Sequence, residues 1–362
     1  MIIRNEIKYR IFLAVIGGFF SLTFASGQAT KGPLHYLTGQ FHGGQFQVLS
    51  SRTADFRGVS PVGVEVDLAW KFVSENAYAI CRCYPSVGAS LNYWDFDHHA
   101  LGKGLSALFY VEPVLFSPLG TDVSLKAGLG VSYLSNPYHE VTNPLNVTYS
   151  TSFSFPLMAG LSATRAINED WAFRFSGIYQ HISNGGVNQP NLGIDFVSFG
   201  LGVQHKLDDR PLPSPVSVPP YKPGDGVRDF SMGLITGLKE PAESDEKALT
   251  ASLAGEYTHQ FARIHAWNAG GIIEADKSRH TSIFADQLRV SLMGGHKFLA
   301  GRFAFTQNAG IYLWSGHQLD NAWFQYYSID FDVTPDFSIG VGLKAHEKVA
   351  EYLSTRLLYR LF

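Results

Sequence analysis

The stretch "GIYQHISNGGVNQPNLGID", residues 177–195, sets His181, Ser183 and Asp195 among glycine, asparagine and proline. A serine, an imidazole and a carboxylate are the three groups of nucleophilic acyl transfer. The hydroxyl attacks only when a base takes its proton, and the base works only when a third group fixes its tautomer. The same composition also suits an ordinary polar turn between two strands, since Asn, Gly and Pro each favour turns. The elements that carry the residues have to separate these readings.

Those elements repeat with a period of two. In "VGVEVDLAWKF", Val62, Val64, Val66, Leu68, Trp70 and Phe72 fall on one face, and Gly63, Glu65, Asp67 and Lys71 on the other. Trp323, Tyr327, Ile329, Phe331 and Val333 alternate in the same way with Ser328, Asp330 and Asp332. The alternating runs extend for about ten to thirteen residues, the length a tilted strand needs to cross a bilayer. A secreted β-sandwich also alternates, but on strands of about five or six residues. Charged residues are only 16% of the 362 and aromatics 14%, which implies an unusually apolar surface. A net charge of -3 gives no reason to expect a nucleic-acid partner.

The fold expected is therefore an all-β, antiparallel, up-and-down transmembrane β-barrel. About eight strand segments precede residue 207, near 39–49, 61–73, 84–95, 104–117, 122–134, 149–165, 170–183 and 193–206, and about eight follow from 227. A weak echo between "LFSPLGTDVSLKAGLGVSYLS" and "FLAGRFAFTQNAGIYLWS" suggests an old duplication. It permits one barrel of about 14–16 strands or two tandem eight-stranded barrels, and single closure per chain favours one.

Residues 1–27 read as an export signal: Arg4, Lys8 and Arg10 precede "IFLAVIGGFFSLTF", with Ala25, Ser26 and Gly27 at the cut. The expected organisation is then a barrel half at 28–207 with the active site, a Pro-rich periplasmic linker at 208–226, and a barrel half at 227–362 without a catalytic motif. Export and strand pattern together place the protein in the bacterial outer membrane. Cys81 and Cys83 lie in "AICRCYP". Read on an extended strand they are poorly placed to bond each other, so they stand as two unpaired small residues, with a metal pair alongside His98 and His99 as the alternative.

On the strand "DWAFRFSGIYQHIS", His181 and Ser183 share the odd row with Trp171, Phe173, Phe175 and Tyr179, the row that faces lipid. On the next strand Asp195 shares the outward row with Val197, Phe199 and Leu201. If the chain starts in the periplasm, the seventh strand delivers His181 and Ser183 to the outer rim, where Asp195 begins the return. A basic group facing lipid costs ~2–4 kcal/mol near the midplane and less at the interface, with acids cheaper, which makes an outward-facing ionisable residue a suspect for function. The other reading leaves these residues just above the membrane in a turn. His346, in the row Gly340, Gly342, Lys344, has no serine two residues on and reads as a lumen residue, so one active site is expected.

"HISNGGVNQPNLGID" resembles the signature of the lipid A 3-O-deacylase (PagL-type) family of outer-membrane barrel hydrolases, roughly H-x-S-N-x-G followed by P-N-x-G and an acid. "CYPSVGASLNYWDF", "LGKGLSALFYVEP" and "NPYHEVTNPLN" are similar to other family pieces, and the likeness covers roughly residues 39–207. The resemblance implies Ser183 as nucleophile, His181 as base and Asp195 as the orienting acid. It implies an oxyanion hole from the Asn191 side chain and the Gly186 N–H, supported by Asn184. It further implies an esterase acting on lipid A of lipopolysaccharide, with no metal and no cofactor. The family's acid is usually a glutamate, so the reach of Asp195 to His181 is the point on which the assignment turns. The reading from another class is a non-catalytic channel or structural barrel, with Glu65, Asp67, Lys71 and Arg174 lining its water.

Overall fold

The computed structural model describes residues 32–362 except 187, 223–225, 240–247, 279–282, 320 and 348; the export signal expected at 1–27 lies outside the described residues. Strands run β1 (Leu34–Phe46), β2 (Val62–Lys71), β3 (Ser86–Asp95), β4 (Lys103–Glu112), a short β5 (Val114–Phe116), β6 (Thr121–Leu134), β7 (Phe153–Ala166), β8 (Trp171–Ser183) and β9 (Ile194–Lys206). After the proline-rich segment come β10 (Arg228–Lys239), β11 (Ala248–Ala262), β12 (His265–Asp276), β13 (Leu288–Ala300), β14 (Phe303–Ser315), β15 (Trp323–Asp332), β16 (Phe337–His346) and β17 (Val349–Arg360). Every neighbouring pair is antiparallel.

The strands close twice. β1 pairs with β9, and β4 pairs with β6 past the short β5, which closes the first eight long strands into a barrel. β10 pairs with β17 and closes the second eight. The fold is thus the tandem pair of eight-stranded barrels rather than one large barrel. The physical reason is the partner of β9: its outer edge is satisfied by β1 over eleven residues, from Tyr36–Lys206 to Phe46–Phe196, so no edge remains for β10 to extend. The first strand also starts five residues earlier than its hydrophobic pattern indicates, because Leu34–Gly43 pairs with β2 residue for residue.

Alternation places apolar side chains outside and charges inside, the inverse of a soluble barrel. Phe173, Phe199 and Leu201 are 60–66% exposed, while Glu65, Asp67, Lys126 and Arg174 are buried. Inside the first barrel Lys126 Nζ meets Glu65 and lies 3.3 Å from Asp67, Arg174 Nη2 lies 2.5 Å from Glu112, and Gln40 donates to Ser176 at 2.9 Å. Lys71 sits over the Tyr36 ring at 5.3 Å instead of lining water. Inside the second, Arg356 bridges Glu256 and Asp330 at 2.7 and 2.8 Å, and Lys344 meets Glu274 at 2.8 Å. An eight-stranded barrel is just wide enough for its side chains to fill it. Planar-bilayer recordings on the full chain are expected to show no steady conductance; a stable open channel would contradict this packing.

One end of the first barrel carries the loops at 47–61, 96–102, 135–152 and 184–193; the other carries both the start of β1 and the end of β9. At that second end Asp208 accepts from Arg210 at 2.7 Å and from the His35 N–H at 2.6 Å. The Arg210 bond, with those from His35, holds its carboxyl down at about 2, so this clip persists until the pH falls through that value. Helix α1 (Glu75–Cys81) lies at the same end. Cys81 and Cys83 form a disulfide, contrary to the expectation of two unpaired residues. The chain is not extended there: α1 ends at Cys81 and Arg82 caps it in the left-handed region (φ 56°), which folds the two Cα atoms to 5.1 Å. The metal alternative fails on distance as well, since His98 and His99 follow β3 at the opposite end, ten residues or roughly 30 Å away.

Candidate functional site

The site is built by strand register. In the β8–β9 ladder His181 pairs with Asp195, Ile182 with Ile194 and Tyr179 with Val197. Directly opposed residues have β-carbons about 4.5–5.5 Å apart, so the register alone brings imidazole and carboxylate within reach. The inward neighbours Ile182 and Ile194 are fully buried in a cluster with Phe46, Trp94, Phe96, Leu134, Tyr149 and Phe196. That apolar plug fixes both strands beneath the site. Trp94 and Phe96 come from the "NYWDF" piece singled out in the sequence.

His181 Nδ1 lies 2.8 Å from Asp195 Oδ1, and the hydroxyl of Tyr179 donates to the same oxygen. Asp195 therefore reaches His181 without the extra methylene of a glutamate. It is 5% exposed, whereas the His181 side chain stays 28% open on the outer wall. Ser183 follows two residues along the same face and is 8% exposed. No hydrogen bond among the described residues joins Ser183 to His181.

The turn after Ser183 is tied to itself. Asn191 Oδ1 accepts the Asn184 N–H at 2.9 Å, and Asn184 Oδ1 accepts the Gly186 N–H at 3.1 Å. Asn184 Nδ2 donates to Asn188 O at 2.8 Å and to Ser150 Oγ at 3.2 Å. Of the two expected oxyanion donors, the Gly186 N–H is thus engaged by Asn184, while Asn191 accepts through its oxygen. The loop that includes "NPYHEVTNPLN" pins the far side, with Leu192 and Gly193 donating to Val147 O and Thr148 O at 3.2 and 2.8 Å. That loop is itself braced by Asn143, which donates to Ala100 O at 3.0 Å, and by the Tyr149 hydroxyl, which donates to Leu101 O at 2.7 Å.

Two functional positions escaped the sequence reading. Tyr179 stood in the outward row two residues before His181, but nothing in the pattern aims its hydroxyl at Asp195. Gly193 belongs to the P-N-x-G pattern, and its reason is steric: at φ +83°, a β-carbon there would come within 2.4 Å of His181 Cε1. Gly193→Ala is expected to displace the imidazole and lower kcat by about 10²-fold, the penalty of a misplacement near 1 Å, and also to lower the thermal midpoint, because alanine is strained at that φ. Wild-type turnover in that variant would show that the ring tolerates the crowding.

His346 lies at the loop end of the second barrel, bonded to Glu351 Oε2 at 3.0 Å and Trp323 O at 3.0 Å, and is a structural residue. The carboxylates of Glu274, Asp276 and Glu351 converge nearby, and Arg289, Lys239 and Lys344 pair with them.

Two family models match the chain. Residues 62–204 match lipid A 3-O-deacylase (PagL), and residues 228–362 match the acyloxyacyl hydrolase C-terminal domain, together well over half of the sequence. The chain belongs to the PagL lipid A deacylase family. It is accordingly a hydrolase of the bacterial outer membrane. No curated protein matches it in sequence. Among solved structures it is similar to Neisserial surface protein A (11% identity, 48% of this chain and 97% of that one, TM-score 0.34). It is also similar to the outer-membrane enzyme PagL (18% identity, 46% of this chain and 98% of that one, TM-score 0.29). The likeness to a Rh. blastica porin spans 90% of this chain and 99% of that one, at 10% identity and TM-score 0.20. The second model begins at the first strand of the second barrel, so both barrels of this PagL-family chain belong to recognised domains.

Proposed function

We propose that the protein is a serine esterase that removes the 3-O-linked acyl chain of lipid A through Ser183, His181 and Asp195 on the outer wall of the first barrel. The observation that carries this reading is the His181 Nδ1–Asp195 Oδ1 contact of 2.8 Å on a face otherwise made of Phe173, Phe175, Phe199 and Leu201. A substrate already lying in the leaflet meets such a site from the side, without entering a pocket. With Nδ1 held by Asp195, Nε2 is the ring nitrogen left to take the Ser183 proton. The serine oxygen then adds to the ester carbonyl, and His181 returns the proton to the leaving alkoxide as the C–O bond breaks. Water, deprotonated by the same imidazole, hydrolyses the acyl-serine and releases the fatty acid.

The developing oxyanion needs donors at about 2.7–3.1 Å. Asn191 Nδ2 supplies one, since only its oxygen is committed to the Asn184 N–H; the Gly186 N–H supplies the other by exchanging Asn184 Oδ1 for substrate. In this reading residues 1–27 are the cleaved export signal. The proline-rich 208–226 linker is periplasmic because it leaves the end of the barrel opposite the 184–193 turn. The site then stands at the external leaflet, where lipopolysaccharide is.

Mass spectrometry of lipid A from cells with and without the expressed chain tests the activity. A species lacking one ester-linked acyl chain is expected only with expression, and identical patterns would overturn the assignment.

A further inference from the structure

The turn that presents the oxyanion donors is covered by the other barrel. Gly185 and Gly186 both take positive φ, 68° and 80°. Although it stands at a barrel rim, Gly185 is buried: a β-carbon on it would lie 2.6 Å from Leu353 Cδ1 and 3.1 Å from Leu353 Cγ, with Phe155 of β7 at 3.7 Å. A β-carbon on Gly186 would lie 3.2 Å from Ala350 O and 3.4 Å from Glu351 O. The opening residues of β17 thus rest on the two residues that follow Ser183 and Asn184.

That stretch of β17 is anchored from within its own barrel. Glu351 is held by Lys239 Nζ at 2.7 Å, Arg289 Nη1 at 3.1 Å and His346 Nε2 at 3.0 Å. Three groups on three other strands therefore fix the peptide whose carbonyl abuts Gly186. A second brace stands at the opposite end: Arg263, in the β11–β12 turn, donates from Nη1 to Ala79 O of α1 at 2.9 Å. With both ends braced, the second barrel cannot swing away from the turn without breaking a buried contact.

We infer that the second barrel is a positioning element for the active site in the first, acting through Leu353 and the Ala350–Glu351 backbone on the Gly185–Gly186 turn. This rests on the esterase reading above, and it gives a role to a closed barrel none of whose described strands carries a histidine with a serine two residues on. Leu353 touches no reacting atom; it restricts a two-glycine turn that could otherwise sample many conformations, and so holds the Gly186 N–H where the oxyanion forms.

The test uses the full chain with Leu353→Ala and the volume-conserving Leu353→Met, read by hydrogen exchange at the Gly186 amide and by deacylation kinetics. Leu353→Ala is expected to exchange faster at Gly186 and to lose about 10–100-fold in kcat with little change in KM. Leu353→Met should restore both. An unchanged exchange rate, or faster exchange with wild-type kcat, overturns the inference. A wild type without deacylase activity removes the esterase reading instead, and the exchange comparison still decides whether β17 holds the turn.

Discussion

Ser183→Ala is expected to abolish deacylation, with a fall in kcat of about 10⁶-fold, while the barrel forms as before. The hydroxyl is the atom that bonds to the acyl carbon, and no neighbouring nucleophile stands in its place: the outward row of β8 beyond His181 and Ser183 is Tyr179, Gly177 and aromatics. The loss should not deepen when His181→Ala is added, because residues that act as a unit fail together. Lipid A from cells expressing each variant should be indistinguishable by mass from that of cells lacking the chain. Wild-type product from Ser183→Ala would remove the serine from the mechanism.

Asp195→Asn is the second large effect, a loss of about 10⁴-fold in kcat with modest change in KM. The amide that replaces the carboxylate can turn its NH₂ toward His181 Nδ1, which stabilises the tautomer with its proton on Nε2 and leaves no lone pair for the Ser183 proton. Asp195→Glu is expected to fall below wild type rather than above it. The aspartate already meets the imidazole at 2.8 Å, and an added methylene would push into the ring that Gly193 leaves just enough room for. Steady-state kinetics on the three proteins decide this; a glutamate variant faster than wild type would mean that the aspartate is strained.

Much of this was legible in the sequence because a β-strand has a period of two and a barrel has only two faces. Apolar residues on one row of β2, β8 and β9 and polar ones on the other sufficed to fix the lipid-facing rows and the placing of His181, Ser183 and Asp195 on a common wall. The motif carried the family, since its spacing is set by one turn joining two paired strands. Four things lay beyond it, each because it depends on contacts between residues distant in the chain. Closure into two barrels was decided by β9 finding β1, some 160 residues earlier in sequence, and a weak repeat cannot say whether such an edge is filled. The Cys81–Cys83 bond was decided by a left-handed cap at Arg82, invisible while the segment was read as extended. The meeting of Tyr179 with Asp195 was decided by side-chain direction across a ladder. The cover over Gly185 was decided by a strand 168 residues downstream, Leu353 of β17. The sequence by itself determined which residues share a face, because alternation is local. Tertiary structure alone decided which faces meet, because that is set by pairing and packing between distant segments.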